Sequence, residues 1–175
     1  MSTANRSRGP PHEPIVFSQP SVVESQVTRV FRAPPERVFH LFTDPATLPY
    51  VFAPDPASVT IEKLEFRKGG KYSIRVKLDD GRLIRFQGEY LEVTPPRRVV
   101  NTFEVDMFPG ASAVETDEFE PVGDFTRVTV RWKYLRQADR DQMAGPEMER
   151  AVTAMWENVE TLLAKGLPAK ATAEG

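Results

Sequence analysis

Apolar and polar residues alternate along several segments of the chain. Between positions 71 and 78 the even positions are apolar and the odd positions are polar. The segment 127–134 repeats this pattern, with Val128, Val130, Trp132 and Tyr134 at the even positions. Strict alternation indicates a β-strand with one buried face, which is typical of an antiparallel sheet covered on one side. The pattern therefore predicts such a sheet, together with a second layer that covers its apolar face.

Six strand-like segments rich in β-branched and aromatic residues follow one another from position 59 onward. The connectors between them contain Gly, Pro and Asp and are too short for helical crossovers, so they favour successive antiparallel hairpins. A further strand is predicted at 26–31, where Ala33-Pro34-Pro35 ends it. The six predicted strands are 59–66, 72–78, 83–93, 98–107, 113–119 and 126–135.

The periodicity changes to that of a helix near the C-terminus. Apolar residues from 148 to 163 fall on one stripe of a helix. Pro146 is favoured in the first turn of a helix, Lys165 is favoured at the negative C-terminal end of the helix dipole, and Gly166 is typical of the residue that ends a helix. We therefore expect a helix from Pro146 to Lys165, about 30 Å long. Two short helical segments are predicted after the first strand, one from Pro35 to the break at Asp44 and one at 46–50.

Length and composition fit a single domain. The chain has 175 residues, of which 40% are hydrophobic and 27% charged, and domains of ~100 to 150 residues are the most common. We expect one α+β domain over residues 23–167, with a flexible arm at 1–22 and a flexible tail at 168–175. Ile15, Val16 and Phe17 form an apolar cluster in the arm. This cluster has an alternative role as an added edge strand or as a contact with a second copy of the chain in a homodimer.

Charge and the lack of cysteine exclude several functions. Lys and Arg number 23 against 25 Asp and Glu, so the chain lacks the positive field that binds nucleic acid. The absence of cysteine excludes disulfides and thiolate chemistry. No apolar run has the length of a signal peptide or of a membrane span, so neither export nor membrane insertion is predicted. We expect a cytoplasmic protein.

Residues that commonly carry catalysis are few. Of the two histidines, His12 lies in the arm and His40 lies on the first short helix, where we expect it to face solvent. Neither belongs to a metal-binding spacing, and the chain has no nucleophile elbow, phosphate-binding loop or dinucleotide fingerprint. The sequence therefore predicts no metal, no cofactor and no catalytic residue.

Five segments in fixed order resemble one family. The segments are APPERVF at 33–39, FTDP at 42–45, RKGGKY at 67–72, GEYLEV at 88–93 and ADRD at 138–141. They resemble the family of activator-of-heat-shock-protein-90-ATPase homologues, within the START-like and birch-pollen-allergen-like superfamily, and the resemblance spans residues 26–166. Many members carry paired tryptophans after the second helix, where this chain has Tyr50-Val51-Phe52-Ala53-Pro54.

This resemblance implies a helix-grip fold, in which a curved antiparallel sheet of six to seven strands wraps around the long C-terminal helix, with two short helices after strand 1. In the superfamily the space between sheet and helix is an apolar cavity, so the resemblance implies binding of a hydrophobic or amphipathic small molecule there. A packed core is the alternative. The candidate ligand-binding residues are Tyr50, Phe52, Tyr72, Ile74, Phe86, Asn101, Phe103, Trp132, Met148, Val152, Met155 and Trp156.

Two further functions stay open. Eukaryotic relatives, which carry an additional N-terminal domain, assist the ATPase cycle of a chaperone, so the resemblance makes a chaperone a candidate partner by analogy. An enzyme of the cyclase or hydratase type would act in the same cavity and would need buried polar groups. Asn101 is one candidate because it alternates with apolar residues, and the hydroxyls of Tyr72, Tyr90 and Tyr134 are others.

Overall fold

The computed structural model describes residues 13–168, and an antiparallel sheet of eight strands runs through this part of the chain. Four α-helices and a short 3-10 turn at Pro56–Ser58 accompany it. The strands are β1 (Val16–Ser18), β2 (Glu24–Phe31), β3 (Val59–Leu64), β4 (Lys71–Lys77), β5 (Leu83–Thr94), β6 (Arg98–Val105), β7 (Ala113–Val122) and β8 (Phe125–Tyr134). The helices are α1 (Pro35–Thr43), α2 (Leu48–Phe52), α3 (Gln137–Met143) and α4 (Pro146–Lys165).

The strand order across the sheet is β1-β2-β8-β7-β6-β5-β4-β3. From β3 to β8 each strand pairs with the next one, which confirms the predicted antiparallel meander. β2 pairs with β8, and β1 adds an edge strand through pairs such as Phe17 with Val27. The sheet thus has one strand more than predicted, and that strand comes from the apolar cluster of the expected arm. Residues 1–12, with His12, and 169–175 lie outside the described residues.

One face of the sheet is buried, as the alternation predicted. In β4 the side chains of Tyr72, Ile74 and Val76 are buried while Lys71 and Lys77 are exposed. β8 follows the same rule from Val128 to Tyr134. Full burial of a large apolar side chain contributes about 1.5 to 3 kcal/mol. We call this buried side the inner face of the sheet.

α4 covers the inner face and has the predicted bounds. Its Val152, Trp156 and Val159 are buried. Gly166 follows the helix with a φ of 71°, in the left-handed region that glycine adopts most easily. Within residues 13–168 no helix is long and apolar enough to cross a membrane.

Two side-chain hydrogen bonds join the C-terminal half of α4 to α1 and α2. Arg37 on α1 donates from Nη2 to the carbonyl oxygen of Leu163 at 2.7 Å. This carbonyl lies in the last turn of the helix, where backbone acceptors have no partner within the helix. Asn158 on α4 donates from Nδ2 to the carbonyl oxygen of Val51 on α2 at 3.1 Å. Both short helices are therefore fixed to α4.

An aromatic cluster fills one end of the space beneath α4. Trp156 packs against Phe31 with ring centroids 5.4 Å apart and against Phe42 at 6.2 Å. Phe42 and Phe39 on α1 both contact Phe119 on β7, at 5.6 and 5.1 Å. Such pairs are worth about 0.5 to 1.5 kcal/mol each beyond the area that they bury. This end of the inner face is a packed core.

Two local features differ from the sequence prediction. α2 extends to Phe52, whereas the predicted turn ended at position 50. α3 was not predicted, because this seven-residue helix has no apolar stripe. Its Asp139 is fully buried and accepts a hydrogen bond from Arg136 at 2.7 Å. His40 on α1 is exposed, which confirms the expectation for that residue.

Candidate functional site

Polar side chains form a row across the inner face of the sheet. In the strand register Tyr90 lies opposite Asn101, Asn101 opposite Glu115, and Glu115 opposite Trp132. Because opposite residues of an antiparallel pair point to the same face, these side chains share the side on which α4 packs. Tyr72 and Asp117 lie next to them. We call the set of Tyr72, Tyr90, Asn101, Glu115, Asp117 and Trp132 the polar row.

Glu115 is the centre of the polar row. Its Oε2 accepts a hydrogen bond from the indole Nε1 of Trp132 on the neighbouring strand. Burial raises the pKa of Glu115 to about 7, although the hydrogen bonds from Trp132 and the Asn101 amide both lower it. A carboxyl with a pKa near 7 exchanges its proton in the physiological range. Its side chain nevertheless keeps partial exposure.

Asp117 follows two residues later on the same strand and face. Burial raises the pKa of Asp117 well above its usual range, and the charge of Glu115 raises it further. Its Oδ1 is enclosed and has no hydrogen-bond partner among the described residues. Such an atom costs about 1 to 3 kcal/mol of unfolding free energy. A carboxyl pair of this kind holds at least one proton at neutral pH, because two like charges at short range disfavour ionisation.

Glycine at position 88 allows the tyrosine end of the row to pack closely. A Cβ at Gly88 would lie 1.9 Å from the carbonyl oxygen of Thr102 and 2.9 Å from the ring of Tyr72. Tyr72 uses this room and donates its hydroxyl to the same carbonyl at 2.7 Å. Asn101 donates from Nδ2 to the Tyr72 hydroxyl and to the Thr102 carbonyl, both at 3.1 Å.

The tyrosines remain neutral hydroxyls. Burial raises the pKa of Tyr72 and of Tyr90, and the charge of Glu115 raises both further. The rings of the two residues contact each other with centroids 5.3 Å apart. Tyr134, the last residue of β8, shares a hydrogen bond of 2.8 Å with Ser25. Burial also raises the pKa of Tyr134.

The candidate ligand-binding residues from the sequence fall into three groups. Tyr72, Asn101 and Trp132 belong to the polar row. Phe52, Phe86 and Phe103 form a second aromatic stack, with ring centroids 5.7 and 6.0 Å apart. The remaining residues lie on helices or beneath α2. They are Met148, Val152, Met155 and Trp156 on α4, Tyr50 on α2, and Ile74, which packs with Leu48 and Ala53 in a smaller cluster.

The structure separates these candidates by how well they are packed. Trp156 and Ile74 are enclosed by other apolar side chains. Phe86, Phe103, Met148 and Met155 are only partly buried and pack against the core without belonging to its fully buried set.

Glu115 and Asp117 were absent from the sequence-based candidates. The alternation along β7 could have identified them, because Ala113 and Phe119, the ends of the predicted strand 113–119, are buried on the same face. Alternation from either end places positions 115 and 117 inside. Acidic residues in a strand are most often on the solvent face, so the residue type favours the opposite prediction.

A separate groove lies on the outside of the domain. Its volume is about 440 Å³ and it opens to solvent between Phe17 on β1 and one side of α4. The residues of α4 that line it are Pro146, Glu149, Arg150, Thr153, Ala154 and Glu157. None of them belongs to the polar row.

An antiparallel sheet whose inner face is covered by one long C-terminal helix, with two short helices after the first main strand, defines a protein of the helix-grip class. A family model described as "Activator of Hsp90 ATPase homolog 1-like protein" matches residues 32–164, and the chain belongs to this family. The action on a chaperone ATPase that the family description mentions stays a prediction for this chain. No curated protein matches the chain.

Solved structures share the fold at low sequence identity. A protein from Rhodobacter sphaeroides has a TM-score of 0.77 at 22% identity, over 86% of this chain and 98% of its own. A protein from Mycobacterium smegmatis has a TM-score of 0.76 at 19% identity, over 86% and 97%. A protein from Arthrobacter aurescens has a TM-score of 0.76 at 20% identity, over 91% and 97%. These likenesses show that the proteins share the fold.

Proposed function

We propose that this protein binds a hydrophobic or amphipathic small molecule in a cavity between the inner face of the sheet and α4. The observation that carries the proposal is Asp117, whose enclosed Oδ1 has no partner among the described residues. Native proteins satisfy nearly all buried polar atoms, and the exceptions tend to be functional. A ligand that donates a hydrogen bond to this carboxyl would remove the penalty.

The apolar surroundings support the same proposal. Phe86, Phe103, Met148 and Met155 pack against the buried core and remain partly exposed. Glu115 and Asp117 also keep partial exposure, although burial dominates their pKa values. A ligand between the sheet and α4 would cover this remaining surface. An apolar ligand gains about 25 cal/mol for each Å² that it removes from water, so such walls favour it.

Native mass spectrometry of freshly purified protein tests this proposal. We expect a co-purifying mass in wild type and saturable binding of Nile red, a neutral apolar dye. Met155→Trp adds bulk on the inner side of α4 and should lower dye affinity, whereas Ala154→Trp adds the same bulk on the exposed side and serves as the control. Absence of both a bound mass and saturable dye binding would refute the proposal. Loss of binding in Ala154→Trp alone would assign the dye to the outer groove and would also contradict it.

A second candidate function is acid–base catalysis in the same cavity. It is favoured by one observation, the carboxyl pair of Glu115 and Asp117, in which burial raises both pKa values and one of them to about 7. A proton donor and a proton acceptor side by side near neutral pH are what general acid–base catalysis needs. This arrangement fits the cyclase or hydratase type of enzyme.

Kemp elimination of 5-nitrobenzisoxazole probes such a base without knowledge of the natural substrate. We expect a rate above buffer that increases with pH around an apparent pKa near 7. Glu115→Gln should abolish the increase, while Glu118→Gln, on the exposed side of the same strand, should keep it. No acceleration by wild type, or an equal rate in Glu115→Gln, would remove the catalytic candidate.

A further inference from the structure

The polar row has more free hydrogen-bond acceptors than free donors. Its donors are already in use: Trp132 donates to Glu115, the Asn101 amide donates to Tyr72 and Thr102, and the Tyr72 hydroxyl donates to the Thr102 carbonyl. The hydroxyls of Tyr134 and Ser25 are bound to each other. A ligand that reaches this row therefore meets few free donors.

The unused capacity consists mainly of carboxyl oxygens. Asp117 Oδ1 has no partner among the described residues, whereas Glu115 accepts from Trp132 at Oε2 and has the Asn101 amide as a further partner. The Tyr90 hydroxyl, which can either donate or accept, adjoins them. Apart from the Tyr90 hydroxyl and the proton that the carboxyl pair itself holds, this spare capacity consists of lone pairs, which favour a ligand group that donates several hydrogen bonds.

Arg29 on β2 is a buried cation of the inner face, but it pairs with Glu160 of α4 at 3.6 Å and is not among the groups that shift the pKa of Glu115 or Asp117. No cationic side chain among the described residues belongs to the polar row itself. The titratable groups that face the carboxyls are Tyr72 from β4, Tyr90 from β5 and Tyr134 from β8, and Arg140 from α3 acts on Tyr134. α4 contributes apolar residues such as Val152 and Met155. A buried carboxylate without a cation is costly, so a cation supplied by a ligand would be strongly favoured.

We propose that the ligand is an amphipathic amine, whose protonated nitrogen pairs with Asp117 and Glu115 while its apolar body lies against Phe86, Phe103 and Met155. This inference rests on the proposed binding function and specifies the polar end of the ligand. An ammonium group has three donors and no acceptor, which matches the acceptors left over in the row.

Proton release is the expected signature of amine binding. In the empty site the carboxyl pair holds protons near neutral pH, because burial raises the pKa of Glu115 to about 7 and that of Asp117 well above its usual range. An ammonium group favours the ionised carboxyls and so displaces protons. Affinity for the amine should therefore rise between pH 6 and pH 8, where simple primary amines remain protonated.

Calorimetric titration with three probes of one shape tests the inference. The probes are 4-phenylbutylamine, 4-phenylbutan-1-ol and 4-phenylbutanoate, which share an apolar body and differ at the polar end. We expect the amine to bind wild type most tightly, roughly 30-fold better than the alcohol, and the acid to bind least. Titrations in buffers of different ionisation enthalpy should show proton release with the amine alone.

Matched variants localise the effect. Glu115→Gln and Asp117→Asn keep side-chain shape and should each reduce amine affinity by about 10-fold or more while alcohol affinity changes little. Glu118→Gln removes a carboxylate from the opposite side of β7, where it pairs with Arg98, and should leave amine affinity unchanged.

The outcomes separate this inference from the binding function on which it rests. If the alcohol and Nile red bind but the amine binds no better than the alcohol, the amine inference is wrong and the binding function stands. Equal loss of amine affinity in Glu118→Gln would reveal a non-specific charge effect and would also overturn the inference. If none of the probes binds, the proposed function itself fails. Retained alcohol binding in Glu115→Gln and Asp117→Asn shows that these variants are folded.

Discussion

Trp132 on β8 lies directly opposite Glu115 on β7 and donates its indole N–H to that carboxyl. A tryptophan that was a candidate pocket wall therefore also acts as an electrostatic partner. The hydrogen bond favours the ionised form of Glu115 and works against burial, which favours the protonated form. The protonation state of the polar row thus depends on one side chain from a neighbouring strand.

Replacement of Trp132 by Phe should raise the pKa of Glu115 above about 7, because the donor that stabilises its ionised form is lost while the apolar ring remains. Carbon-detected NMR titration of the glutamate side chains measures this shift. Phe86→Leu, which alters the neighbouring aromatic stack and no hydrogen bond of Glu115, is the control. A Glu115 pKa that stays the same or falls in Trp132→Phe would contradict the role assigned to the indole.

Stability should decrease as the pH rises from 5 to 8. The folded-state pKa of Glu115 is about 7 against 4.5 for the free group, so the folded protein binds more protons than the unfolded chain in this range. The stability present below pH 4.5 is lost as the pH rises through 7, by up to about 3 kcal/mol from this one group. The raised pKa of Asp117 adds to the loss in the same direction.

Urea denaturation of wild type and of Glu115→Gln at pH 5 and at pH 8 measures this effect. The variant should lose less stability than wild type between the two pH values, because glutamine does not ionise. Glu118→Gln, whose carboxylate is exposed, should lose as much as wild type. Equal pH dependence of wild type and Glu115→Gln would show that Glu115 ionises in the folded state as readily as in the unfolded chain.

A methyl group at position 88 should destabilise the domain. In Gly88→Ala the new Cβ would lie 1.9 Å from the Thr102 carbonyl oxygen, so β5, β6 or Tyr72 must move. Overpacking of this kind costs about 1 to 3 kcal/mol or more. Gly145→Ala is the control, because a Cβ there meets nothing within 4 Å. Thermal unfolding compares the two, and equal melting temperatures would contradict the close approach at Gly88.

Loss of the Asn158 amide should weaken the attachment of α2 to α4. Asn158→Ala removes the hydrogen bond to the Val51 carbonyl, which costs about 1 to 2 kcal/mol and leaves that backbone acceptor without its partner. Amide hydrogen exchange should become faster in α2. Glu157→Ala, at the exposed neighbouring position, should leave that exchange unchanged. If Asn158→Ala exchanges like wild type, α2 is held by its apolar contacts alone.

The features that the sequence predicted well are those with a local signal. The bounds of α4 follow from Pro146, the apolar stripe and Gly166, all within one segment. The hairpins from β3 to β8 follow from alternation and from short connectors. The short α3 lacked such a signal, because it has no apolar stripe and its buried Asp139 resembles a surface residue in the sequence.

The candidate site was only partly predictable from the sequence, because its residues come from several strands that are far apart in the chain. Asn101 and the tyrosines were recognised as buried polar groups, and their parity within single strands was enough for that. The parity of β7 could place Glu115 and Asp117 on the inner face, but their alignment with Asn101 and Trp132 depends on the register of three strands. Long-range pairing of this kind leaves no mark in a local window of sequence.

The two hydrogen bonds that hold α4 have a further consequence for how a molecule would reach the interior. Both bonds lie in the second half of the helix, because Arg37 binds the carbonyl of Leu163 and Asn158 belongs to that half. The first half begins at Pro146, is preceded by Gly145, which has no side chain to cap the helix, and contains the partly buried Met148. We therefore expect α4 to work as a hinged lid whose free end is its N-terminus, with ligand exchange limited by how often that end lifts.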